Sequence, residues 1–131
     1  MSEKQLATFR LILPSKGEFH MGLCIGADIQ AATIARELGY RIVGHPPTNQ
    51  RKMGKFQCDE FRIPAEYLVR NRAIVLDTEV LVATPKEATE SLRSGTWATV
   101  RYARTQKRNI LIILPDGVLR AEAPLVRPKA F

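Results

Sequence analysis

Cysteine and histidine each occur only twice in this 131-residue chain, and tryptophan once. Cys24 and Cys58 sit in unrelated contexts with no C-x-x-C, which excludes a zinc knuckle and a disulfide-built secreted scaffold. Both are read as reduced thiols, so the expected location is a reducing compartment, the cytoplasm. His20 and His45 are isolated, with no carboxylate at ligand spacing, and no metal site is expected. Long apolar runs are missing too. The longest, Ile110 to Leu114, falls far short of the about 18 residues that span a bilayer, and the opening Met-Ser-Glu-Lys-Gln is no signal peptide. No membrane partner is expected. Acids are the scarcer charge: 13 Asp and Glu against 20 Lys and Arg leave +7, a field that concentrates nucleotides, phosphates or nucleic acid. The stretch from Arg93 to Arg108 contains no acid at all.

The chain has enough apolar content, 45%, to build one domain with a core of its own. Ser2 and Gln5 form a capping box, followed by Leu6, Phe9 and Leu13 at helical spacing, so a helix is expected up to Pro14. Phe19, Met21 and Leu23 alternate like a strand. Gly26 breaks it, Ala31, Ile34, Ala35 and Leu38 make one helical stripe closed by Gly39, and Tyr40 to Val43 is a second strand. Strand, glycine turn, helix and strand in so short a span predict a βαβ unit with parallel strands. The segment from Gly44 to Ile63 has no period and reads as a binding loop or local disorder. Pro64 suits the first turn of a helix through Leu68, Val69, Ala73 and Leu76. Val80 to Ala83 is a short strand, Thr84 to Gly95 a loop, Thr96 to Gln106 a helix, and Ile110 to Leu114 a buried central strand. After Gly117 the pattern is lost. The fold class expected is α/β, an open and mostly parallel Rossmann-like sheet with helices on both faces, occupying residues 1–117 and followed by a tail over 118–131.

Two turns carry chemistry. In Gly22-Leu23-Cys24-Ile25-Gly26-Ala27-Asp28, glycine allows a phosphate close to the backbone, the next helix supplies free N–H groups, and Asp28 is placed to accept from a ribose hydroxyl. The same residues are equally well read as a turn and a helix cap. In Arg93-Ser94-Gly95-Thr96-Trp97, backbone donors and hydroxyls open a helix beside an arginine suited to phosphate oxygens; the plainer reading is an N-cap, with Trp97 in the core. Arg70 and Arg72 point to different faces of their helix, and Arg101, Arg104 and Arg108 share one face, a solvated stripe that could also track a polyanion. No nucleophile elbow, Walker A sequence or H-E-x-x-H is present, so no catalytic residue and no cofactor are assigned.

Taken together, Cys24-Ile25-Gly26-Ala27-Asp28, Arg70-Asn71-Arg72-Ala73-Ile74-Val75 and the segment from Arg93 to Ala103 resemble the SLOG superfamily, which joins the Lonely Guy phosphoribohydrolases, the DNA-processing Smf/DprA proteins and small nucleotide-sensor domains. The resemblance spans about Ser2 to Gly117. It implies a Rossmann-like sheet with a nucleotide-derived ligand over the strand ends. The ligand residues would be Gly22, Gly26, Asp28, Ser94, Gly95 and Thr96 as a cradle, with Arg70 and Arg93 supplying charge. Where Lonely Guy enzymes carry their catalytic glutamate this chain has Thr99, so binding without catalysis is expected. The alternatives are single-stranded nucleic-acid binding, as in the Smf/DprA relatives, and a phosphoribohydrolase drawing its acid from Glu66, Glu87 or Glu90. Related domains also begin with a strand and a Gly/Thr phosphate loop, neither of which precedes the helix at Ser2. A missing internal strand leaves sheet edges bare and the Leu6, Phe9, Leu13 stripe short of cover, which predicts a homo-oligomer, with a dimer favoured.

Overall fold

The computed structural model describes residues 1–14 and 17–124. Helix α1 (Glu3–Ile12) starts at the capping box: the Ser2 hydroxyl accepts from the Gln5 amide at 3.0 Å and the Gln5 side chain accepts from the Ser2 amide at 2.9 Å. Strand β1 (Glu18–Met21), α2 (Ala27–Glu37) and β2 (Arg41–Gly44) form the expected βαβ unit, with Phe19 opposite Ile42 and His20 opposite Val43 in a parallel ladder. A two-residue strand, β3 (Glu60–Phe61), extends that ladder on the far side of β2. After α3 (Tyr67–Asp77) come β4 (Val80–Ala83), α4 (Gly95–Thr105) and β5 (Asn109–Ile113), again strand, helix and parallel strand.

Boundaries differ from the sequence reading in several places, beginning with β1, which stops at Met21 short of Leu23. Helix α3 begins at Tyr67 behind Glu66 rather than at Pro64, because Ala65 is engaged in a bridge with Pro47. The segment after Gly117, which has no period, supplies β6 (Leu119–Glu122), antiparallel to β5. Asp116 makes that turn by accepting from the Val118 amide at 3.0 Å. The rest of the expected tail, from 125 onward, lies outside the described residues.

The strands fall into two three-stranded sheets, β1-β2-β3 and β4-β5-β6. The free edges of β1 and β4 line one cavity of about 640 Å³, bordered by Phe19 and His20 on one side and Val80, Leu81 and Val82 on the other. This is where a strand joining the two sheets would sit. Helices cover both faces of β5: Ile110 and Ile112 pack with Trp97, Val100 and Ala103 of α4, while Ile113 packs with Phe9 of α1 and Ile34 of α2, as side-chain alternation requires. The whole is α/β and Rossmann-like. The stripe on α1 is covered within the chain, since Phe9 is 1% exposed and Leu6 and Leu13 pack on the same cluster. That stripe therefore gives no reason for a dimer. Among the described residues no helix is long and apolar enough to cross a membrane.

Candidate functional site

In parallel α/β sheets the loops after the strands gather at the carboxyl edge, which is where ligands lie. Both sequence-predicted turns are found there, bordering one cleft of about 530 Å³ whose lining includes Gly22, Asp28, Arg70, Ser94, Gly95 and Thr96. Gly26 and Arg93 do not line it.

The first turn is tightly built. Leu23 is driven into the core, 1% exposed, and takes a left-handed backbone with φ 60° to get there. The Asp28 carboxylate holds the curl in place, its Oδ2 accepting from the amides of Gly22 and Cys24 at 3.1 Å each. Asp28 thus closes its own loop, the plainer of its two readings. Gly26 is the N-cap of α2 at φ 96°, a conformation that side chains resist, and provides no side-chain cap. The first amides of α2 are left without a capping side chain.

Arg70 corrects a sequence expectation. Expected to supply charge to a ligand, it is instead 4% exposed and engaged by the fold, its Nη1 donating to the carbonyls of Gly22 and, at 3.3 Å, His45. Its Nε donates to Asn71 Oδ1 at 2.8 Å. A Cβ on Gly22 would stand 2.6 Å from that Nη1, so the glycine makes room for the guanidinium. Arg70 clamps the end of β1 to the end of β2 and borders the cleft while doing so.

The second turn is the start of α4. Ser94 caps it, its Oγ accepting from the Trp97 amide at 3.2 Å, and Trp97 is fully buried. Gly95 and Thr96 are exposed at the cleft. Thr99, one turn further, also lines it and donates its hydroxyl to the Gly95 carbonyl at 2.9 Å. Arg93, just before the cap, does not line the cleft, and its amide donates to Ser91 Oγ at 3.3 Å.

Two cations in the cleft have no sequence signal, Lys52 and Lys86. Lys52 arrives because the aperiodic loop is stitched to the first turn: the Ile25 amide donates to the Lys52 carbonyl at 2.9 Å and the Gly54 amide to the Leu23 carbonyl at 2.7 Å. Cys24, also in the lining, is held as a thiol, because burial and then Asp28 push its pKa up. Of the three glutamates considered as acids, Glu87 lines the cleft and Glu66 and Glu90 do not. Glu90 is paired with Arg104 at 2.8 Å and Arg101 at 3.5 Å, and the Arg104 hydrogen bond draws its pKa down.

Arg101 and Arg104 share a face of α4, whereas the expected third member, Arg108, falls beyond the helix end at Thr105, and all three are occupied. Arg104 bonds both carboxylate oxygens of Glu122, and Arg108 donates to the carbonyls of Val75 and Leu76. With Arg101 on Glu90, this face offers a polyanion little free charge. No protein-family model, no curated protein and no solved structure matches the chain.

Proposed function

We propose that the cleft binds a nucleotide or nucleotide-derived phosphate, in the manner of the SLOG domains that the three motifs resemble, and that it does so without catalysis. The observation that carries this reading is the convergence of two helix N-termini, α2 and α4, on one cleft that also holds Lys52 and Lys86. Helix starts present unpaired amides and a partial positive charge to an anion. The Thr96 hydroxyl and the open space over Gly95 leave room for a phosphate at the second turn. Asp28 has one carboxylate oxygen committed to its own loop, and the position that the resemblance matches to a catalytic glutamate is Thr99.

Thermal denaturation against a panel of nucleoside mono-, di- and triphosphates tests this. A ligand present at 100 times its Kd stabilises by about 2.7 kcal/mol, and Lys52→Glu or Lys86→Glu should abolish the shift while leaving the unliganded protein as stable as before. No shift with any member at millimolar concentration would sink the proposal. One observation favours a second reading: Glu87 lines the same cleft and could serve N-glycoside cleavage. Release of free base from a nucleoside monophosphate, lost on Glu87→Gln, would establish that reading in place of the first.

A further inference from the structure

The parallel ladder sets His20 of β1 opposite Val43 of β2, and His45 lies two residues beyond Val43. Residues two apart share a face, and diagonal neighbours of this kind come within side-chain reach. The fold thus joins two histidines that are far apart in sequence. His20 Nδ1 lies 2.7 Å from His45 Nε2, with side chains 1% and 2% exposed. Asp77, the last residue of α3, closes the group: its Oδ2 is 3.9 Å from His45 Nε2, and it remains 37% exposed. One ligand atom from each of the three lies within 4.8 Å of the others.

We propose that His20 Nδ1, His45 Nε2 and Asp77 form a binding site for one divalent cation of the zinc type, with water as the fourth ligand. Four-coordinate zinc sits about 2.0 to 2.1 Å from its ligands, whose atoms are then about 3.4 Å apart. The two nitrogens need to separate by about 0.7 Å, and Asp77 Oδ2 to approach His45 Nε2 by about 0.5 Å. In the neutral pair, the carboxylate beside His20 selects the ligand tautomer. Glu18 Oε1 lies 2.7 Å from His20 Nε2 and accepts its proton, which leaves the Nδ1 lone pair facing His45, the carboxylate-histidine arrangement that supports metal ligands. Without metal, His45 Nε2–H fills the gap by donating to that lone pair; the cation takes the place of this proton, which is released to solvent.

Access is through Asp77 and the cavity between the sheets, which His20 and Asp77 both line. The set of two nitrogens and one oxygen favours zinc, cobalt or nickel over magnesium or calcium. One neighbour competes: Arg62 Nε is 3.3 Å from Asp77 Oδ2. It also pairs with Glu60, so it keeps a partner when Asp77 turns to the metal. Its charge and that of Arg70 oppose a cation here and lower the expected affinity.

Untagged full-length protein titrated with Zn2+ against a chromogenic chelator should bind one equivalent. Asp77→Asn should lose at least about 10-fold in affinity, as should Glu18→Gln, which touches only the supporting shell. Both positions are partly exposed, so these variants should fold. Arg62→Gln should bind severalfold tighter, a gain that a purely structural histidine pair does not give. With Co2+ the visible bands should lack a sulfur-to-metal transition. Failure to bind at micromolar zinc, affinity indifferent to Asp77→Asn, or a sulfur band pointing to Cys24 or Cys58 would each overturn the proposal.

Discussion

Replacing Arg70 by methionine should cost about 4 kcal/mol of folding stability, read as a shift of the urea midpoint at unchanged slope. The helix itself tolerates methionine. What is lost is the donor at the buried carbonyls of Gly22 and His45, which end the two paired strands. Each buried acceptor left unsatisfied costs about 1 to 3 kcal/mol, and the lost bonds were to a charged donor. Arg70→Lys should recover less than half, because one ammonium cannot also keep the fork geometry that reaches Asn71. Against a total of about 5 to 15 kcal/mol this is a large fraction. A loss below about 1 kcal/mol would show that the guanidinium serves a ligand and not the fold. Lys52→Glu is the complementary case, expected to affect ligand binding and not the midpoint.

Acid should weaken the metal-free protein well before its carboxylates titrate. Burial, and then the neighbouring His20, push the His45 pKa down from 6.5 to about 4, with Arg62 and Arg70 acting in the same direction and Asp77 opposing. The unfolded chain therefore binds this proton more readily than the folded one. The stability contributed is complete above pH 6.5 and is lost as pH falls from there to about 4, a total of about 3 kcal/mol. Glu18, Glu90 and Glu122 are shifted down from 4.5 by their hydrogen bonds to His20 and Arg104, so their losses begin only below that value. Urea midpoints between pH 7.5 and pH 4.5 isolate the histidine. A flat profile there, or an unchanged slope in His45→Gln, would refute the assignment.

What could be read from the sequence was local. The Ser2 and Gln5 box, the stripe of α2 and the run of β5 each declare themselves within a few residues, and the two glycine turns meet because parallel strands end on the same edge. The missed features depend on distance along the chain. Arg70 finds its acceptors 48 and 25 residues away, and nothing in a helical pattern marks an arginine as buried. The histidine pair is a product of ladder register, which spacing in sequence does not reveal. β6 escaped because Leu-Arg-Ala-Glu lies on an edge with three of its four residues exposed, leaving no alternation to detect. Lys52 enters the cleft through backbone bonds of an aperiodic loop.

The seam between β1 and β4 has a mechanical meaning. Each half-sheet closes its own hydrogen-bond ladder, so the two halves are fastened by helices and side chains, with α1 reaching from β5 to α2. Separate ladders are natural units of partial opening, and amide exchange would show whether they open together. The cleft takes the start of α2 from one half and the start of α4 from the other. An anion held by both would tie across the hinge two bodies that, among the described residues, share no backbone bond there.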